Sequence, residues 1–81
     1  MSTKMVHIGF NHFLDLGKVV AVTTPKSSPM KRTIQDAKEK GVLVDLTEGR
    51  KTKAVIFTTA KWVILSALEP ATISGRIEGV A

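Results

Sequence analysis

The chain has 81 residues, 43% of them hydrophobic and 23% charged, with no Cys and a formal net charge of +5. That length allows one domain with a modest core, the composition excludes disorder, and the lack of Cys excludes disulfide or thiolate–metal bracing. No apolar run approaches the roughly 20 residues of a membrane-spanning helix, and "MSTKMVHIGF" lacks the apolar stretch of a secretory signal, so a soluble cytoplasmic protein is expected.

The first predicted strand is "KMVHIGF", with Val6, Ile8 and Phe10 on one side and His7 and Gly9 on the other. "NHFLDLG" follows and reads as a connection, because Asn, Asp and Gly form turns. "KVVAVTT", from Lys18, is β-branched and apolar on both faces. In "PKSSPMKRTIQDAKEKG" the period changes to that of a helix. Ser28 suits the N-cap, Pro29 the first helical position and Gly41 the position after the end. Met30, Ile34 and Ala37 form its apolar stripe.

"VLVDL" (Val42 to Leu46) reads as a third strand, "KAVIFTT" as a fourth and "WVILSAL" as a fifth, with Ala60 and Lys61 turning between the last two. A short final helix is predicted from Pro70, carrying Ile73 and Ile77. The expected fold is α+β: one domain over residues 1–81, with about five short strands in an antiparallel or mixed sheet, one main helix and a short C-terminal helix.

Both late strands are apolar on both sides. Val55 and Phe57 oppose Ala54 and Ile56, and Trp62 and Ile64 oppose Val63 and Leu65. Two-sided strands need cover on both faces. Two short helices supply one face of cover, so a second copy of the chain is expected on the other.

Candidate chemistry is sparse. A P-loop needs Gly where Val44 stands and Lys where Arg50 stands. His7, His12 and Asp15 match no zinc spacing and have no Cys beside them. Ser27, Ser28, Ser66 and Ser74 lack a nucleophile-elbow context, and Asp36 and Asp45 lack a paired carboxylate. No catalytic residue, metal, cofactor or small-molecule substrate is expected, and the chain is read as a non-enzyme. The aromatics Phe10, Phe13, Phe57 and Trp62 are too few, and too often in apolar runs, for a base-stacking platform.

The positive charge is what stands out. Residues 1–40 hold seven Lys/Arg against three Asp/Glu, and residues 41–81 hold five against four, so the excess is spread along the chain. With a pI near 9.9, it favours a polyanionic partner. "TEGRKTKAVIF" concentrates Arg50, Lys51 and Lys53 around Gly49. A Gly-containing loop lets backbone amides approach a phosphate, while Arg adds a forked donor and Lys a mobile charge. Lys31 and Arg32 lie in the first turn of the main helix, where the dipole disfavours cations and a solvated face explains them better than phosphate contact.

"IGF" (Ile8 to Phe10), "SPMKRTIQDAKEKGVLVD" (Ser28 to Asp45), "GRKTKAVI" (Gly49 to Ile56) and "VILSALEPATI" (Val63 to Ile73) resemble the bacterial extracellular matrix regulator RemA family. The likeness spans roughly residues 4 to 77 and carries the specific run G-R-[KR]-T-[KR]-A-V-I. It implies a LytTR-like fold, a ring-shaped homo-oligomer and a biofilm-matrix transcription regulator in the cytoplasm, associated with the nucleoid.

The resemblance puts the DNA-contacting positions at Lys18, Arg50 and Lys51; the charge pattern alone adds Lys53, Lys31 and Arg32 as candidate supporting contacts. Lys replaces Arg at positions 18 and 51, which keeps the charge and loses the bidentate fork. "NHFLDLG" departs from the family's usual residues. The expected partners are double-stranded DNA and further copies of the chain, with no membrane. The rival is a homo-oligomeric scaffold whose basic rim binds RNA or an acidic protein; a small-anion-dependent enzyme ranks far lower.

Overall fold

A computed structural model describes residues 4–80. Met5–His7 (β1) and Phe13–Asp15 (β2) pair antiparallel as a hairpin, with Val6 opposite Leu14. A single 3₁₀ turn at Leu16–Lys18, capped by Asp15 Oδ1 accepting from the Gly17 amide at 2.9 Å, leads into Val19–Thr23 (β3). Ser28–Glu39 (α1), Leu43–Asp45 (β4), Ala54–Thr58 (β5), Val63–Ser66 (β6) and Pro70–Val80 (α2) complete the chain. The larger sheet has the order β3-β5-β6-β4, antiparallel except for the parallel β4–β6 pair. The α+β, single-sheet-and-helix expectation thus gains a sixth strand and a second, two-stranded sheet.

That extra strand is β2, within the segment expected to be a connection. Phe13 and Leu14 supply its strand character, and the turn lies earlier, at Gly9–His12. The His12 amide donates to the Gly9 carbonyl at 2.9 Å, and both central residues have positive φ, Phe10 at 50° and Asn11 at 64°. This is the hairpin geometry that Asn and Gly favour. For Phe it costs about 1–2 kcal/mol, because its Cβ crowds the following carbonyl.

The helix cap moves by one residue. Ser27, not Ser28, has the extended backbone, and its Oγ accepts from the Met30 amide at 3.2 Å. Ser28 is the first helical residue and Pro29 the second, a position where a missing amide costs nothing. Gly41, at φ 73°, follows the C-cap Lys40 as expected.

Sheet cover is the main departure from expectation. On one face, Val55, Val63, Leu65 and Phe57 pack with Met30, Ile34 and Ala37 of α1. On the other, Ala54, Ile56 and Ile64 pack with Val6 and Ile8 of the hairpin strand and its turn, and with Ile73 and Ile77 of α2. The hairpin supplies the cover that two helices alone could not. Ile8 and Ile56 are fully buried, each worth roughly 1.5–3 kcal/mol. One copy therefore encloses both faces of β5 and β6, and two-sided strands give no argument for a second copy.

Apolar surface is left uncovered at the β3 edge. Val20 is 65% exposed at a register shift between Val19 and Ala21, where β3 bulges. Leu16, Val19, Val22, Pro70, Ala71 and Ile77 line a groove of about 500 Å³ beside it. Among the described residues, no strand pairs with the outer side of β3.

Candidate nucleic-acid interface

The loop between β4 and β5 is built by two devices. Asp45 Oδ1 accepts from the Thr47 amide at 2.9 Å and from Thr47 Oγ1 at 2.6 Å, and Thr47 is only 2% exposed. These two hydrogen bonds, the hydroxyl's foremost, hold the Asp45 carboxyl below its ordinary pKa, with a smaller opposing push from burial. A tight turn follows, closed by the Arg50 amide donating to the Thr47 carbonyl at 3.0 Å. Its central residues are Glu48 at φ 53° and Gly49 at φ 79°. Positive φ is what Gly49 contributes here; a Cβ at this position would meet nothing within 4 Å. The Lys53 amide then donates to the Ser66 carbonyl at 2.9 Å, docking the loop's exit on β6.

Ser66 is fully buried and joins the loop's support to the hairpin. Its Oγ donates to the Ile8 carbonyl at 2.8 Å and accepts from the Leu68 amide at 3.1 Å. His12 Nε2 and Glu48 Oε1, 3.2 Å apart, tie the hairpin turn directly to the Gly49 turn.

Two clefts flank this loop and share Lys51 and Lys53. One, of about 620 Å³, is lined by Lys26 and Lys31 together with Ile34, Pro25 and Glu69. The other, of about 520 Å³, brings in Arg50, Arg76, His7 and Phe10. Glu69 is a partner for Lys53 at 3.9 Å. Among the described residues, Lys26, Lys31, Arg50 and Lys51 form no ion pair. Six cations from four chain segments thus gather at one end of the sheet, where β3, β4 and β6 finish and β5 begins.

Of the expected contacts, Arg50, Lys51, Lys53 and Lys31 fall in this cluster. Arg32 lines neither cleft. Lys18 is not brought to them. Its carbonyl accepts from the Thr59 amide at 2.8 Å, beyond the far end of β5. The run from Lys53 to Thr59 separates the two places by roughly 20 Å at the usual strand rise. Lys61, whose amide donates to the Thr58 carbonyl at 3.2 Å, shares that far end with Lys18.

Lys26 and Arg76 belong to the cluster although each is a lone cation in sequence. Only the topology brings them in. Arg76 Nη1 donates to His7 Nδ1 at 2.7 Å and to the His7 carbonyl at 3.1 Å, pinning α2 to β1. Neutral imidazole has one acceptor nitrogen, and the short charge-assisted contact takes it. In that tautomer Nε2 carries the hydrogen, so the Asn11 amide, 3.2 Å away, approaches it without a hydrogen bond. His7 and His12 are therefore used in holding α2, hairpin and loop together.

No helix among the described residues is long and apolar enough to cross a membrane.

The family model described as RemA-like, Extracellular matrix regulatory protein A-like, matches residues 5–77. A protein of Dehalococcoides mccartyi, strain ATCC BAA-2100, whose name gives it a regulatory role, is 51% identical over 77 residues, covering 95% of this chain and 80% of the relative. A similarly named protein of Halothermothrix orenii is 48% identical over 79 residues, covering 98% and 94%. One from Synechococcus sp. strain JA-2-3B'a(2-13) is 49% identical over 76 residues, covering 94% and 85%.

Proposed function

The chain belongs to the RemA-like family of regulatory proteins, and from that membership we propose that it is a ring-forming homo-oligomer that regulates transcription by gripping the phosphate backbone of double-stranded DNA. The observation that carries this is the basic end of the sheet, where Arg50 and Lys51 project from a fixed turn beside Lys26, Lys31, Lys53 and Arg76. A cluster supplying six cations against Glu69 in the cleft lining and Asp45 and Glu48 in the loop still has the sign and spread for several phosphates, and such contacts position a protein without reading bases. Lys18 makes a second contact, to phosphates about 20 Å from those at the loop, by the strand rise.

Self-association is supported by the β3 edge, whose exposed Val20 and neighbouring apolar groove suit another copy. Repetition around a ring turns a few weak phosphate contacts per subunit into useful avidity. The protein then acts without catalysis or cofactor in the cytoplasm, on the nucleoid, and the family's description directs its regulation toward extracellular matrix production.

Mobility shifts with duplex DNA, single-stranded DNA and RNA at matched salt test the partner. Duplex DNA is expected to bind tightest. Tighter binding to RNA, or no nucleic-acid binding at low salt, overturns the proposal and leaves a scaffold whose rim meets RNA or an acidic protein.

A further inference from the structure

Phe10 occupies the one place in the hairpin where the local chemistry calls for another residue. It sits first of two left-handed residues in the Gly9–His12 turn, at φ 50°, and is 45% exposed. Asn or Gly would relax that turn and hide no apolar surface from water. A bulky side chain kept in such a conformation points to a role outside the fold. The turn also touches neighbouring segments. A Cβ on Gly9 would lie 3.4 Å from Leu68 Cγ, so the hairpin sits closely on that side chain. His12 clasps Glu48 across the gap to the Gly49 loop. Phe10 shares its cleft with Arg50, Lys51, Lys53 and Arg76.

An apolar ring ringed by cations matches one feature of duplex DNA closely: an apolar base stack between two rows of phosphates. A second copy of this chain or an apolar peptide would have to bury those four cations. We propose that Phe10 is a wedge, entering a base step of the duplex while Arg50, Lys51 and Arg76 hold the phosphates on either side. This rests on the duplex-binding function proposed above and adds a mechanism to it. Each engaged subunit unstacks a step and bends the DNA, so flexible pyrimidine–purine steps and mismatches are favoured without any hydrogen bond to a base edge.

The test uses the full chain and duplexes carrying 2-aminopurine at successive central positions, whose fluorescence rises when a step unstacks. Wild-type protein is expected to raise the fluorescence at one or more positions and to bind a duplex with a central mismatch about fivefold tighter than the matched duplex, since an unpaired step is cheaper to open. Phe10→Asn suits the left-handed turn and should fold at least as well. It is expected to keep the assembly and the salt dependence of binding while losing both the fluorescence rise and the mismatch preference. Phe10→Trp should retain them.

If wild type binds duplex in an Arg50-dependent way with no fluorescence rise at any position, the wedge is wrong and the phosphate contacts stand. A rise that persists in Phe10→Asn, or an Asn variant that falls apart into monomers, also overturns it. Failure of wild type to bind duplex at low salt removes the wedge and the DNA function together.

Discussion

Removing Asp45 sets two physical effects against each other. Asp45→Ala takes one negative charge from beside a cationic loop in a chain of net charge +5, so electrostatics alone predicts tighter DNA binding. It also strips the acceptor from two donors of Thr47, a residue that is 2% exposed. Leaving buried donors unpaired costs about 1–3 kcal/mol, or a fall in Tm of roughly 5–20 °C in a domain this small. More to the point, the turn that aims Arg50 starts from Thr47, and an unpinned turn spreads its cations over many positions.

Because each engaged copy loses the same order, duplex affinity is expected to fall about threefold or more despite the added positive charge. Thermal melts and fluorescence anisotropy with a labelled duplex, at one salt concentration, measure both. The acid behaviour follows in sign. The folded carboxyl titrates below its ordinary value of 3.8, so its contribution is complete above that pH and is lost as pH falls through the lower folded value. Wild type should lose stability in that window more steeply than Asp45→Ala. Tighter DNA binding by Asp45→Ala with an unchanged Tm would refute the view that the turn positions the cations.

Ser27→Ala should cost about 0.5–2 kcal/mol in chemical denaturation by removing the α1 cap, whereas Ser28→Ala should cost little; the reverse order would contradict the cap geometry. Val20→Asp should reduce the mass seen by light scattering toward the 8.8 kDa monomer without lowering helix content, since Val20 is 65% exposed. An assembly that survives Val20→Asp places the subunit interface away from the β3 edge. Ile56→Asp offers no such test, because a fully buried charge unfolds the chain whether or not it assembles.

Much of this fold is written in local pattern. The opposed apolar residues of β5 and β6 sort correctly onto the two faces except Trp62, which precedes β6 and is 44% exposed, and the Met30, Ile34, Ala37 stripe faces the sheet as its spacing requires. Gly41 and Pro70 mark their helix boundaries. What local pattern misses has physical reasons. Ser27 and Ser28 are chemically equal caps, and only backbone geometry separates them. β2 is hidden because its three residues, Phe13, Leu14 and Asp15, follow Asn11 and His12 and carry too short a period to register. The hairpin turn is hidden because Phe10 carries none of the usual turn signals. Missing the hairpin led directly to the mistaken need for a second copy as cover.

The candidate site divides along the same line. The Gly49 loop is a cluster in sequence and so is visible there. Lys26 and Arg76 are single cations whose convergence depends on β3 and β5 meeting at one end of the sheet and on α2 being held to β1 through His7, properties of topology rather than of any window of residues. Lys18 shows the converse: matched to the loop by resemblance, it stands at the opposite end of β5.

The most direct measurement of the central claim is the salt dependence of duplex binding by the assembled wild type and by Arg50→Ala. Each phosphate neutralised contributes about −0.9 to the slope of log affinity against log salt, so several engaged subunits predict a wild-type slope of about −5 or steeper. Arg50→Ala is expected to remain assembled, to weaken binding across unrelated sequences alike, and to flatten that slope by about one for every subunit on the DNA. An assembled Arg50→Ala protein with wild-type affinity and slope would show that the Gly49 loop does not hold DNA.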